Sequence, residues 1–414
     1  MGNTPLVDAK VGANPLLAAW SGPYGGAPPF ARVEVSHFEP ALEAAMNENR
    51  GEIARIVDNP EAPTFENTFA ALEDASRTLH RAGTIYDIWS GTMNGPEFQM
   101  VERKVAPKMA AFFDEVMQNE KLWKRIEAVY ASPQTGLTPE QRRLVWRTYT
   151  NFARAGAKLD GAAKKRMAEI NQRLATLYTT FNQNVLADEE SYAVVLESDA
   201  DVAGLPELER AGAKAAAEAR GLAGKWAITN TRSSVEPFLA YSSREDLRQK
   251  VWQNFIKRGD NGDAHDNNAV ISEILRLRAE RAKLLGYPTY AHWQLENTMA
   301  KTPERAVALM EAVWAPAVAR VRQEVADMLA VANQEAGKTG LAPKTKIEPW
   351  DYRYYAEKVR KAKYDLDENE VKPYLQLEKL REAMFWVAGE LFGFSFAPIS
   401  DVEVYQEDMR VWAV

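Results

Sequence analysis

Apolar residues recur three and four positions apart over long stretches of this chain, and this period constrains the fold more than any other feature. Leu42, Met46 and Ile53 illustrate it, and similar stripes run through residues 40–187 and 268–335. Because an α-helix has 3.6 residues per turn, such side chains share one face of a helix. The pattern predicts a mostly α fold with long helices in both stretches, and strands in less than about a quarter of the residues.

The predicted helices are bounded by residues that cap or interrupt the backbone hydrogen bonds. Thr138 and Thr302 each precede a proline, which is typical of an N-cap followed by the first helical residue. Gln141 lies three residues after Thr138, the spacing of a capping box. Asn59 precedes a proline and predicts the end of the first long helix.

The region 190–245 departs from the helical period. It contains three short β-like runs, at Tyr192–Leu196, Trp226–Ile228 and Phe238–Ala240, around an alanine-rich helix predicted at 205–220. We therefore expect a small β insert between the helical stretches.

Composition divides the chain into three parts. Residues 1–30 are rich in glycine, proline and small side chains, which predicts an extended N-terminal arm. Residues 31–345 carry the helical pattern and the insert. Residues 346–414 contain 13 aromatic residues and are interpreted as the start of a further, incomplete region.

The last residues of the sequence, Met409–Val414, are typical of a β-strand. A strand needs a neighbour, and no strong partner strand precedes this one in the sequence. We therefore expect residues 402–414 to form an edge strand or hairpin arm whose partner belongs to a C-terminal portion missing from this chain.

Charge and composition argue against several classes of protein. The chain has 51 Lys and Arg against 58 Asp and Glu, a net charge of −7, which disfavours nucleic acids and anionic membranes as partners. No run of 18 apolar residues predicts a membrane span. The N-terminus lacks the pattern of a signal peptide, so the chain is predicted to be cytoplasmic, or periplasmic if a signal peptide was removed.

Side chains able to hold a metal ion are few. The chain has no cysteine, and its histidines, His37, His80, His265 and His292, lie 43, 185 and 27 residues apart. A local zinc motif usually pairs two histidines four residues apart. This chain is therefore expected to hold no zinc, and spacing alone predicts no catalytic residue.

Several separate stretches nevertheless resemble the thimet-oligopeptidase-like zinc peptidases, in the order expected of that family. These are residues 28–72, Gly156–Leu159, Phe181–Asn184, Leu284–Ala291, Met299–Glu304, Pro349–Glu357 and Tyr364–Asp367. The resemblance covers nearly the whole chain from about residue 15. Within the family, Lys363–Glu368 and the pair Phe385-Trp386 favour the peptidyl-dipeptidase branch.

The resemblance implies a two-lobed, mostly helical ellipsoid with a deep channel. A zinc ion at the channel floor is bound in the family by a His-Glu-x-x-His helix and a downstream glutamate, and dipeptides are removed from the C-terminus of oligopeptides. In the family, the helix that carries Trp350, Asp351, Tyr354 and Tyr355 leads toward the channel, so the resemblance selects these four residues as candidates for the substrate cleft. The face with Tyr354 and Glu357 is predicted either to line the substrate cleft or to pack as core.

The sequence departs from the family at the decisive motif, because His-Glu-x-x-His does not occur in it. Two functions stay open. The first is the N-terminal part of a zinc metallopeptidase, truncated before the catalytic helix, inactive alone, with zinc bound only in the full-length parent. The second is a catalytically dead helical protein that binds peptides or inhibits a peptidase.

Overall fold

The computed structural model describes residues 14–22, 25–340, 342–365 and 368–414. It is 66% helical, and each strand within the described residues is three or four residues long. The predicted mostly α fold is therefore confirmed. Residues 1–13, 23 and 24 of the predicted arm lie outside the described residues.

The helices follow the apolar period of the sequence. In chain order they are α1 Phe38–Val57, α2 Ala71–Asp74, α3 Arg77–Thr92, α4 Pro96–Met117, α5 Glu120–Ala131, α6 Pro139–Arg154, α7 Gly161–Ser191, α8 Glu207–Glu218, α9 Arg232–Tyr241, α10 Glu245–Ile256, α11 Asn268–Leu284, α12 Tyr290–Leu295, α13 Pro303–Thr339, α14 Tyr352–Tyr364, α15 Glu368–Val371 and α16 Leu377–Phe392. A π-helical turn at Phe65–Ala70 leads into α2, and short 3-10 turns lie at Phe30–Arg32, Val35–His37 and Lys372–Tyr374.

The predicted helix starts are confirmed by their caps. The Thr138 hydroxyl accepts a hydrogen bond from the Gln141 amide at 3.2 Å, and the Gln141 side chain accepts one from the Thr138 amide at 2.9 Å. The Thr302 hydroxyl caps α13 by accepting a hydrogen bond from the Arg305 amide at 3.4 Å. This helix continues four residues past the predicted end at 335, and Gly340 ends it with a φ of 70°, a conformation that glycine adopts without strain.

The β insert is confirmed in part. Strand β1, Ala193–Leu196, pairs antiparallel with β2, Trp226–Thr229. The third predicted strand, Phe238–Ala240, is wrong, because these residues lie in α9. Val235 and Phe238 are buried three residues apart on one face of this helix, and a short apolar run does not distinguish a helix from a strand.

The C-terminal strand has an upstream partner, contrary to expectation. Strand β3, Ala397–Ile399, pairs antiparallel with β4, Val411–Ala413, and Pro398 lies opposite Trp412. Proline is rare within strands, so the sequence pattern around Pro398 did not indicate a strand.

The described chain forms two compact units. Unit 1 contains residues up to 180 together with 272–294 and 395–414, and unit 2 contains 181–271 and 295–394. The divisions at residues 30 and 345 stay predictions.

The core of unit 1 is built around a cluster of aromatic side chains from α1, α3 and α4. Phe38 is fully buried, and its ring centroid lies 5.1 Å from that of Phe98, 5.5 Å from that of Trp89 and 6.1 Å from that of Tyr86. A second cluster, which includes Leu122, joins α1 to α5 and α6.

The described residues of unit 2 include two apolar clusters. One packs β1 and β2 against α9 and α10, with Phe238 at 1% exposure. The other joins α13 to α14 through Met328, Ala332 and Tyr355.

Asp114 in α4 is a buried carboxyl in unit 1. Burial raises its pKa to about 6 from an ordinary value of 3.8, although a hydrogen bond from Asn171 and the charge of Arg281 act in the opposite direction. The Asn171 amide donates to Oδ1 at 2.7 Å, while Oδ2 is buried without a hydrogen-bond partner among the described residues. The folded protein therefore holds the proton on this side chain up to a higher pH than the unfolded chain does.

We expect the Asp114→Asn variant to gain stability relative to the natural protein as the pH rises from about 4 to 6. The folded state holds the Asp114 proton more tightly than the unfolded state, so this carboxyl contributes its full stability below about pH 4 and loses it through pH 6. The difference in unfolding free energy should grow by about 1–2 kcal/mol, allowing for solvent screening. Urea denaturation of both proteins at pH 4 and pH 7 measures it, and a constant difference would contradict the assignment.

Candidate functional site

Asp351 is the best enclosed of the candidate residues that the resemblance selected. It occupies the N-cap position of α14, but its side chain makes no capping hydrogen bond. The residue is fully buried, and its carboxylate instead accepts hydrogen bonds from Arg248 at 2.5 Å and Lys344 at 2.9 Å. One buried carboxylate is thus shared by two cations.

Arg248 in α10 is fixed by three neighbours. Its guanidinium donates to Asp351 and, at 2.6 Å, to the carbonyl oxygen of Ser242, and it stacks 4.1 Å above the Tyr354 ring. Only 1% of the residue is exposed. Its Nε has no hydrogen-bond partner among the described residues.

Lys344 connects this buried pair to the surface. Burial opposes its charge, but hydrogen bonds to Glu245 at 2.7 Å and to Asp351 outweigh that effect and raise its pKa. The lysine therefore keeps its proton and contributes a second positive charge beside Asp351.

The aromatic candidates pack around the same network. The rings of Tyr354 and Tyr355 meet edge to face at 5.1 Å, and Tyr355 is buried against α13, where desolvation raises its pKa. Trp350 meets Trp252 edge to face at 5.7 Å. The Trp350 indole N–H is buried and lacks a hydrogen-bond partner among the described residues. The structure thus brings all four candidates together, and their predicted place in a substrate cleft stays a prediction.

The opposite face of α14 lines an open groove, which we call the α9–α14 groove. Its volume is about 830 Å³, and it is lined by Arg232, Ser233, Glu236, Pro237, Ala240, Tyr241, Tyr352, Arg353, Ala356, Glu357, Arg360 and Lys372. Glu357 lies in this groove, as the cleft hypothesis requires, whereas Tyr354 points to Arg248.

The α9–α14 groove carries more positive than negative charge among its described lining residues. Four cations line it against two carboxylates. Arg353 pairs with Glu236 at 2.7 Å, and Arg360 forms two hydrogen bonds with Glu357, at 2.7 and 2.8 Å. Such a groove can bind carboxylates and peptide carbonyls, since arginine donates several hydrogen bonds in a fixed plane.

Sequence reasoning missed Arg353 and Arg360 in this groove, although the sequence contains their signal. Arg353, Glu357 and Arg360 are spaced four and three residues apart, which places them on one helical face. The partner Glu236 could not be identified, because it precedes Arg353 by 117 residues.

The described residues do not fit a zinc site. Among them, no three His, Asp, Glu or Cys side chains are grouped so that they could hold a metal ion. No chemical step is therefore assigned to a metal in this chain.

The sequence comparisons bear on the segment that carries this network. Residues 238–414 match the model of Peptidase family M3. The chain is 36% identical to the dipeptidyl carboxypeptidase of Escherichia coli and 35% identical to that of Salmonella typhimurium, over 97% of its own length in both cases. The resemblance to this peptidase family is confirmed.

A more distant relative points to the same family. The oligopeptidase A of Escherichia coli is 28% identical over 96% of this chain and is covered over 57% of its own length. The chain spans 58% of the length of the two dipeptidyl carboxypeptidases. No helix within the described residues is both long enough and apolar enough to cross a membrane.

Proposed function

We propose that this chain is the N-terminal part of a metallopeptidase that removes dipeptides from the C-terminus of oligopeptides. The observation that best supports this proposal is a difference in sequence identity. The chain is 36% and 35% identical to two dipeptidyl carboxypeptidases but 28% identical to oligopeptidase A, over similar lengths. We place the zinc of this activity in the full-length parent and expect this chain alone to be inactive. The parent is expected in the cytoplasm, or in the periplasm if a signal peptide is removed.

The direct test compares two proteins, the 414-residue chain and a longer product of the same reading frame. Both are incubated with an N-terminally blocked hexapeptide, and the released fragments are identified by mass spectrometry. We expect the longer protein to release C-terminal dipeptides and this chain to release none. Release of single amino acids or of internal fragments would contradict the proposed specificity. Peptide binding without any cleavage by the longer protein would instead support a catalytically dead binder or inhibitor.

We also propose that the α9–α14 groove contacts the peptide, with Arg360 and Glu357 among the contacting residues. The excess of arginine and lysine in the groove suits the carbonyl oxygens and terminal carboxylate of an oligopeptide. This assignment refines the cleft predicted for the α14 segment.

We expect the Arg360→Gln variant of the full-length enzyme to raise KM for peptide cleavage about three- to tenfold, with little change in kcat, because a charged hydrogen bond to bound peptide is lost. Lys363→Gln is the matched control, since Lys363 lies on the same helix and pairs with Asp327 outside the groove lining. Equal KM values for the two variants would contradict the proposal that the α9–α14 groove contacts the peptide.

A further inference from the structure

Unit 1 contains a cavity that the proposed function does not use. It lies among α1, α3, α4 and α6 and has a volume of about 450 Å³. Small-molecule sites in proteins typically measure about 300–1,000 Å³. The cavity is therefore large enough for a compact ligand.

The lining of this cavity includes many apolar side chains. Ile53, Leu79, Phe112 and Phe152 contribute buried surface, while Phe113 lines the same cavity and is 47% exposed. An exposed aromatic ring beside buried ones offers apolar surface to a ligand. The cavity thus suits an aromatic or branched aliphatic group.

Charged and titratable side chains of both signs also line the cavity. Glu73, His80, Asp87 and Arg147 are exposed lining residues. None of the four side chains takes part in a hydrogen bond or ion pair among the described residues. They are consequently available to a ligand that carries a positive and a negative group.

Two backbone features lie in the cavity wall near α3: a glycine within the helix, and a serine with a positive φ just before the helix begins. Gly83 lies inside this helix and lines the cavity, and a Cβ atom built on it would meet nothing within 4 Å. Glycine inside a helix costs roughly 0.5–1 kcal/mol relative to alanine, so local packing does not account for its presence. Ser76, which also lines the cavity, has a φ of 66°, and its amide donates to Glu52 at 2.7 Å. A non-glycine residue in this region is strained, and such strain often occurs at functional sites.

We propose that this cavity binds a short peptide with free termini and an apolar side chain, such as a dipeptide. Glu73 and Asp87 attract its ammonium group, Arg147 attracts its carboxylate, and the apolar lining receives its side chain. The choice of a dipeptide rests on the proposed function, in which dipeptides are the product. Binding to unit 1 is nevertheless measurable without any turnover.

The test uses isothermal titration calorimetry of the 414-residue chain with leucyl-phenylalanine. We expect binding in the millimolar range or tighter. Gly83→Leu, which fills the cavity with a good helix former, should weaken it at least about tenfold. Gly83→Ala is the matched control and should bind as the natural chain does, because its methyl group occupies little of the cavity. Arg147→Gln, an exposed substitution that leaves the core intact, should weaken binding about three- to tenfold.

The same titration with N-acetyl-leucyl-phenylalanine amide tests the charge argument, and this capped peptide should bind at least about threefold more weakly. Equal binding of capped and free dipeptide would overturn the requirement for free termini. Absence of heat at millimolar peptide, or unchanged binding to Gly83→Leu, would overturn the site itself. The titration needs no peptide cleavage, so its result does not depend on whether the proposed peptidase activity is found. Failure of the binding proposal and failure of the proposed function are therefore distinguishable.

Discussion

The Asp351→Ala variant is expected to lower the free energy of unfolding by about 3–5 kcal/mol, because it leaves a buried charge without its partner. Asp351 is fully buried and the Arg248 side chain is 2% exposed, so water cannot replace the lost carboxylate. Lys344 loses a hydrogen bond at the same time. Guanidinium denaturation followed by circular dichroism in the far ultraviolet measures the change.

Two further variants separate this burial effect from a general effect of charge. Glu236→Gln breaks partly exposed pairs with Arg232 and Arg353 in the same unit, and it should cost no more than about 1 kcal/mol. The double variant Arg248→Met with Asp351→Leu removes both buried charges and should lose less stability than Asp351→Ala alone. If Asp351→Ala cost as little as Glu236→Gln, the buried network would not stabilise unit 2.

The second large effect is expected at Phe38, where substitution by alanine should cost about 3–5 kcal/mol. This ring is fully buried in unit 1 among Tyr86, Trp89 and Phe98. Removing it leaves a cavity and breaks three aromatic contacts at once, and each such contact adds stability beyond the buried area. Denaturant titration followed by tryptophan fluorescence is suited to this variant, since Trp89 lies beside the altered site.

Met100→Ala provides the matched control for Phe38→Ala, because Met100 lies in α4 of the same unit and is 52% exposed. This substitution should change the free energy of unfolding by no more than about 0.5 kcal/mol. Similar losses in the two variants would mean that the aromatic cluster is not the centre of the unit 1 core.

The helices were predictable because their signals are local. The capping residues Thr138 and Gln141 lie three positions apart, and the apolar stripe of α1 repeats within each turn. Strands were harder to predict. The partner of β4 contains Pro398, and the run at Phe238 has the apolar character of a strand although it is helical. Short apolar segments take their conformation from the surface against which they pack.

The candidate site was predictable only in part, for a related reason. The resemblance selected Asp351 and Tyr354, but the charge that faces them comes from Arg248, 103 residues earlier than Asp351. Neither arginine nor aspartate signals burial by its type, since both are usually exposed. Only the folded chain shows that these two charges pair away from water.

The position of Arg248 has a consequence for how sequence change can alter the groove. Its guanidinium joins the carbonyl oxygen of Ser242, directly after α9, to the carboxylate of Asp351, directly before α14. These two hydrogen bonds help to fix the distance between α9 and α14, the two walls of the groove. Arg248, Ser242 and Asp351 are not themselves among the groove-lining residues. Residues on its open side, such as Arg353 and Arg360, can then be exchanged while the scaffold keeps its dimensions. The side chains that hold α9 and α14 together and the side chains that line the groove thus lie on different faces of α14.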